Sequence, residues 1–340
     1  MPSDGTGLGE GLSSVAKPSR YAAIDVGSNT IHLLLASCTL PAAPRQLRRR
    51  REFVQLGLDV AAQGFIGAER MELAARTLEG QVEDARQHGT RALAVGATEA
   101  LRSAHNGGLV AEVLAARAGL EEVRVLPAQV EAQLAFDGAT VGLPAGVAAL
   151  VLDIGGASSQ VAFGPAHGLC SDHSLSIGSG MVTALAASDP PTDDEWRAME
   201  RLVAESIPDL MPPPPGTVGL GTGGTITNLP RLLGKRKGAM LRPRDVEHAI
   251  ELFRMTPAAT LAERFRMDLE RVRLCRGGAL ILAQLLDLLQ LPKLRCSERG
   301  LRDGMVMALA RRGPDWWLGP AEGGFGGAQP VLSELVSSRA

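Results

Sequence analysis

The sequence predicts an α/β protein of two related lobes facing each other across a cleft, and three observations carry that expectation. Short apolar runs alternate with stretches of helical periodicity along most of the chain. One pattern, apolar strand, Asp, hydrophobe, Gly, small polar residues, apolar strand, occurs twice, in "YAAIDVGSNTIHLLLA" from Tyr21 and in "AALVLDIGGASSQVAFG" from Ala148. The length of 340 residues allows two domains of ordinary size, each with its own core.

From Tyr21 to about Gly57 the chain reads strand, turn, strand, proline-rich loop and a further extended run, which is a meander signature. A helix is predicted from about Ala68 to His88, with Leu73, Leu78 and Val82 near helical spacing. "RALAV" reads as a strand, Gly96-Ala97-Thr98 as a turn, and a helix opens near Glu99. After the helical "GLVAEVLAARAGLE" come a strand in "EVRVLPA" and a helix from about Ala128 to Ala139. The second half repeats the opening hairpin and adds a helix with an acidic start, "PTDDEWRAMERLVAESI", and a proline-rich spacer. "TVGLGTGGTITNLP" then reads as strand, glycine turn and helix start, and the rest is mostly helical to about Arg312. The expected partition is a disordered leader over 1–19, lobes over 20–140 and 141–312, and a tail over 313–340 in which Trp316 and Trp317 pack on the body.

A net charge of −2 argues against nucleic acid as the main partner, because neutralising a phosphate backbone needs a basic surplus. No apolar run reaches bilayer length, and the most apolar stretch, "GGALILAQLLDLLQLP", is interrupted by Gln284 and Asp287. The N-terminal stretch lacks the pattern of a signal peptide, so a soluble cytoplasmic protein with no membrane partner is expected. Cys38, Cys170, Cys275 and Cys296 form no C-x-x-C pair and read as buried, reduced thiols. His32, His105, His167 and His173 show no metal-ligand spacing. The run "RQLRRRREF", Arg45 to Phe53, reads either as a charged strand edge or as a guide for a polyanion.

A tight turn between two buried strands leaves backbone N–H groups that the sheet cannot use. Gly27 and Gly155 let a ligand approach closely, while Ser28, Asn29 and Thr30 add side-chain donors. Such a concave set of N–H groups binds anions. Asp25 or Asp153 alone would repel a phosphate and becomes useful with a divalent cation between them. A third glycine turn, Gly221-Thr222-Gly223-Gly224-Thr225, opens a helix whose first amides add to anion binding. The residue set thus implies phosphate together with magnesium.

The segments "AAIDVGSNTIHLLLA", "GATEALRSAHN", "LPAQVEAQLAF", "VLDIGGASSQVAFG", "GTGGTITNL" and "SERGLRDGMV", in this order, resemble the exopolyphosphatase and guanosine pentaphosphate phosphohydrolase family. The resemblance spans about Tyr21 to Arg312. It implies two ribonuclease H-like domains of the actin-like ATPase superfamily and magnesium-assisted hydrolysis of terminal phosphoanhydride bonds in polyphosphate or guanosine pentaphosphate. It also implies Glu131 as the base that deprotonates water, and Asp25 and Asp153 as metal ligands. Phosphate would be held by Asp25, Gly27, Ser28 and Asn29 in the first turn, and by Asp153, Gly155, Gly156 and Ser158 in the second. Gly221, Gly223, Gly224 and Thr225 would serve in the third turn, and Thr98 and Arg102 would hold phosphate from the side.

The chain departs from the family pattern in two places. The family's S-G-x-E-E-A is "PAQVEAQ" here, with Val130 in place of the first glutamate, and its D-I-G-G-G-S-T-E is "DIGGASSQ", with Ala157 for glycine and Gln160 for a carboxylate. Burial would raise the pKa of Glu131 and a helix start after Pro127 would lower it, a balance the sequence leaves open. Two readings follow: a phosphatase working with Glu131 and fewer auxiliary acids, or a catalytically weakened binding or regulatory module of the same fold. A sugar or acetate kinase fits the segments less well. A homodimer is compatible with the long late helix.

Overall fold

The computed structural model describes residues 19–166 and 168–318. The leader, apart from residue 19, the tail beyond 318 and His167 lie outside the described residues.

The first sheet contains β1 (Ser19–Val26), β2 (Thr30–Cys38), β3 (Arg45–Phe53), β4 (Ala92–Ala97) and β5 (Arg124–Val125), in the order β3-β2-β1-β4-β5. Its first three strands form an antiparallel meander, and β4 and β5 add in parallel. Between them run α1 (Leu56–Gln63), α2 (Ala68–Gln87), α3 (Glu99–Ser103) and α4 (Gly107–Ala118), and α5 (Ala128–Thr140) leads out of the sheet. Helix α1 was not foreseen. It follows β3 directly, starting from Gln55 in a left-handed conformation.

The second sheet repeats this plan with β6 (Ala148–Ile154), β7 (Ser159–Pro165), β8 (Ser171–Leu175), β9 (Val218–Thr222), β10 (Met240–Leu241) and β11 (Leu294–Cys296). Its order is β10-β11-β9-β6-β7-β8, again a three-stranded antiparallel meander extended by parallel strands, with β10 added antiparallel at the edge. Its helices are α6 (Ser179–Thr183), α7 (Asp193–Ser206), α8 (Gly223–Leu232), α9 (Pro243–Met255), α10 (Ala258–Phe265) and α11 (Leu269–Leu288). The chain then runs into α12 (Leu301–Arg312) and one 3₁₀ turn, Gly313–Asp315. This is the pair of ribonuclease H-like lobes that the resemblance implies.

Helix α2 shows how the apolar period selects a face. Ala74, Leu78, Val82 and Ala85 recur at three- and four-residue steps and are buried against the first sheet, whereas Leu73 is 45% exposed and does not belong to that stripe. On the other face of the same sheet, Ala23, Leu34 and Ala94 meet Met305, Val306 and Leu309 of α12. The last helix of the second half therefore returns to cover the first lobe. Helix α5 lies between the sheets, giving Leu134 to that cluster and Phe136 and Ala139 to one with Ala149, Val151 and Leu220 of the second sheet. Trp316 is buried in the α12 cluster, and Trp317 packs beside it under the Arg124 guanidinium, 4.0 Å away. Cys38, Cys275 and Cys296 are buried as expected, but Cys170 is exposed because it lies where the chain crosses from β7 to β8. Among the described residues no helix is long and apolar enough to cross a membrane.

Helices α5 and α12 cross with their backbones in contact. A methyl group at Gly304 would overlap the Leu134 carbonyl, and one at Gly138 would overlap Gly300. Gly304→Ala is expected to force the helices apart and to destabilise the protein by about 1–3 kcal/mol, the usual cost of overpacking, as read by urea unfolding. An exposed-helix control, Gly108→Ala, meets no neighbouring atom and should not destabilise.

Candidate active site

A cleft of about 670 Å³ opens between the lobes, at the carboxyl ends of β1, β4, β6 and β9. Ligands bind at this end of open parallel strands because the connecting turns expose unpaired backbone there. Asp25 and Asp153 stand one residue from the ends of β1 and β6, Thr98 follows β4 and Gly223 follows β9.

The two hairpin turns have the same internal geometry. Gly27 N–H donates to the Thr30 carbonyl and Gly155 N–H to the Ser158 carbonyl, each at 3.0 Å. The next N–H groups, of Ser28 and Asn29 and of Gly156 and Ala157, find no acceptor among the described residues and so remain free for a ligand. The turns meet across the cleft. The Asn29 amide lies so close to Gly156 that any Cβ at that position would collide with it. The third turn is held equally tightly: Gly223 has φ +86°, and a side chain there would strike Asp153 and the Ile154 backbone. Gly224 and Thr225, at the start of α8, line the same space.

Asp25, Asp153 and Glu131 form the acidic end of the cleft. Burial pushes all three carboxyls upward, Asp153 to about 6 and Glu131 to about 7. The Asp25 charge pushes Asp153 further up, and the charges of Asp25 and Asp153 do the same to Glu131. Burial thus outweighs the helix start for Glu131, which is 8% exposed in the first turn of α5. Two arginines oppose the trend. Arg302, in the first turn of α12, places Nη1 3.3 Å from Asp25 Oδ2, and Arg102 Nη1 lies 2.9 Å from Glu131 Oε2.

Two predicted residues do not line the cleft. Arg102 stands behind Glu131 with its fork spent: Nη1 donates to Glu131 and to the Leu126 carbonyl, and Nη2 donates to Glu99 Oε2 at 2.5 Å. Gly221 is inside β9, where a Cβ would strike Leu294 and Ile226, so its need for glycine comes from packing. Gly96 is likewise a packing glycine, against Leu126, Met305 and Trp316. Val130 also lies off the cleft, packed toward the α12 cluster. Gln160 does line it; its Nε2 donates to Ser158 Oγ at 3.1 Å and it pairs across the hairpin with Asp153.

Several cleft residues were not singled out from sequence. Arg302 sits in "SERGLRDGMV", but its approach to Asp25 depends on α12 crossing between lobes. His32, noted from sequence only as lacking metal-ligand spacing, lines the cleft and is held neutral by burial and by Arg302, Arg51 and Arg49. The period of two in β3 was a usable signal, since Arg49, Arg51 and Phe53 alternate onto one face and line the cleft. Glu99 is an additional carboxylate at the wall, fixed by Ser103 and Arg102.

Asp25 Oδ1 is buried without a hydrogen-bond partner, an arrangement that calls for a cation or a donor from a ligand. Among the described residues no group of three or more His, Cys, Asp or Glu is gathered as a metal cluster. Asp25 and Asp153 therefore offer a two-carboxylate, all-oxygen donor set. That set suits a hard divalent ion whose shell is completed by water and phosphate.

The model of the Ppx/GppA phosphatase family matches residues 40–312. Exopolyphosphatase 2 of Mycobacterium tuberculosis is 30% identical over 323 residues, covering 86% of this chain and 99% of that protein. The crystal structure of the Aquifex aeolicus member of the Ppx/GppA family is 26% identical, with a TM-score of 0.71 over 87% of this chain and 99% of that one. An exopolyphosphatase from Cytophaga hutchinsonii, 21% identical, shares the fold with a TM-score of 0.74 over 86% of this chain and 98% of its own.

Each raised carboxyl binds its proton more tightly folded than unfolded, so its contribution to stability is complete below the ordinary carboxylate range and is lost as the pH rises through the folded value. The metal-free protein is therefore expected to melt at progressively lower temperature as the pH is raised through about 6 and about 7. Glu131→Gln should flatten the upper part of that decline and raise the melting temperature at neutral pH by a few degrees, as followed by thermal unfolding in chelator.

Proposed function

Because the chain belongs to the Ppx/GppA phosphatase family, we propose that it hydrolyses the terminal phosphoanhydride bond of inorganic polyphosphate, releasing orthophosphate and a chain one unit shorter. The observation that carries this reading is the pair of opposed hairpin turns with free N–H groups, flanking three buried carboxylates. Guanosine pentaphosphate, which ends in the same kind of bond, is the second substrate considered. We take residues 20–140 and 141–312 as the two domains, with α12 lying on the first, and read the protein as cytoplasmic, since its four thiols are free.

In this reading the terminal phosphoryl group lies between the Gly27–Asn29 and Gly155–Ser158 turns, whose amides and hydroxyls donate to its oxygens. The Thr98 hydroxyl donates from the wall. Water attacks the terminal phosphorus while Glu131 takes its proton, and the bridging P–O bond breaks with its electron pair leaving on the shortened chain. A base near pKa 7 suits that work at neutral pH, since a substantial fraction is free to accept a proton and it is basic enough to draw one. Arg102 acts on Glu131 and not on phosphate: it fixes one carboxylate oxygen and leaves the other for water. Asp25 and Asp153 would hold a magnesium ion, whose charge offsets the repulsion between these acids and the phosphate. Gln160 supplies no charge, but its donation to Ser158 Oγ leaves the serine proton free to point at the ligand.

Phosphate release from long-chain polyphosphate with magnesium tests the proposal. Glu131→Gln is expected to lower kcat by about 10²–10⁴-fold, the range of a lost general base. Wild-type protein that binds polyphosphate without releasing phosphate would instead mark a binding module. Arg102→Lys should lower kcat by up to ~10²-fold through misplacement of the base with little change in KM, whereas a phosphate-holding arginine would raise KM.

A further inference from the structure

Each of the two hairpin turns is braced from behind by a short helix. In the first lobe, Gly57 N–H at the start of α1 donates to the Ser28 carbonyl at 2.8 Å, and the Val54 and Gln55 N–H groups just before α1 both donate to the Asn29 carbonyl. In the second lobe, Ser179 and Gly180 of α6 donate their N–H groups to the Gly155 and Gly156 carbonyls at 2.9 and 2.8 Å. The Ser179 hydroxyl adds a second bond to the Gly155 carbonyl. Helices α1 and α6, one from each lobe, lie beside each other.

The outer faces of this pair are apolar. On α1 and its exit, Leu58, Ala62 and Phe65 recur at steps of four and three and are exposed, and on and after α6 so are Met181, Ala184 and Leu185. The four large side chains among them keep 39–44% of their surface in water. Charge is missing as well. Although 21% of the chain is Asp, Glu, Lys or Arg, residues 176–188 contain none, and residues 54–66 contain only Asp59, whose carboxylate is held by Arg70 and the Gly67 N–H. Asp189, which follows, is tied to Arg276 and to the Ala258 N–H.

Apolar side chains grouped on one exposed face mark a contact surface, because covering them removes apolar area from water. The missing charge selects the partner. A face with a surplus of one sign would repel its own copy and fit a partner of the opposite sign. This face has no sign to complement, so it can meet its own image about a twofold axis without opposing like charges. Helix α11, the long late helix, cannot serve instead, since most of its apolar side chains pack in the core of the second lobe. We infer that the α1–α6 face is the interface of a homodimer, in which each copy lays Leu58, Met181 and Leu185 against those of the other. Because the face spans both lobes, one contact braces both hairpin turns and holds them at a fixed separation. This assembly does not depend on the reaction proposed above.

Sedimentation velocity of the full chain, from micromolar concentration upward, tests the assignment. Wild type is expected to reach twice the 35.6 kDa mass of the single chain as concentration rises. Met181→Glu and Met181→Lys should each return the mass to that of one chain, since either charge would face its own kind across the axis. Met255→Glu, at an 80% exposed position ending α9, should leave the dimer intact. Mixing the Met181→Glu and Met181→Lys proteins should restore the dimer through opposite charges, which a folding defect in either variant would not allow. Backbone hydrogen exchange should slow in α1 and α6 together as wild type associates. A wild type that remains monomeric, a dimer that survives Met181→Glu, a mixture that fails to reassociate, or protection confined to one of the two helices would overturn the assignment.

Discussion

Three buried carboxylates, raised by burial and, for Asp153 and Glu131, by neighbouring acids as well, set the terms for the rest of this structure. Asp25, Asp153 and Glu131 come from different strands and a helix, yet the Asp25 charge reaches both of the others and the Asp153 charge reaches Glu131, and burial removes the water that would screen them. Such a cluster lowers the stability of the ligand-free protein and persists because the surrounding fold over-determines it. Its counter-charges arrive from far along the chain, Arg102 behind Glu131 and Arg302 above Asp25. Neither neutralises the cluster fully, and Asp25 Oδ1 is left without a partner. What remains is a buried excess of carboxylate oxygen with one acceptor unsatisfied.

The cluster can exist because the fold is nearly a repeat. Two sheets of the same strand order each end β1 and β6 with a carboxylate and a glycine turn, and opposing the sheets opposes the turns. Helices α5 and α12 make that opposition firm. Helix α5 packs on both sheets and carries Glu131, while α12 joins the first sheet and carries Arg302. The Leu134–Gly304 contact lies within about one helical turn of both Glu131 and Arg302, so these two side chains share one mechanical support.

The departures from the family pattern weigh differently once placed in space. Val130 faces the α12 cluster, so a missing acid there removes nothing from the cleft. Gln160 does face Asp153, and its neutrality reduces repulsion in a site already crowded with carboxylates. Glu99 adds an acid on the opposite wall, but Arg102 and Ser103 occupy its oxygens. The local charge has been redistributed around an unchanged central trio.

Most of the architecture was legible in the sequence because it depends on short-range pattern. Alternating strands and helices, the duplicated Asp-x-Gly hairpins and the helix after Gly223 follow from periodicity and turn chemistry within a few residues. The same local rules brought out Gly27, Gly155, Asp25 and Asp153, which do line the cleft. Tertiary structure alone decided the rest. Whether Arg102 touches phosphate or Glu131 depends on where α3 meets α5, and whether Gly221 serves a ligand or packing depends on Leu294, more than seventy residues on. The pairing of Arg302 with Asp25, and of Arg51 with Arg271 around Phe53, joins residues hundreds of positions apart, whose proximity no local pattern encodes. Sequence determines what each turn can do by itself; the packing of two lobes and a returning helix determines which charges those turns face.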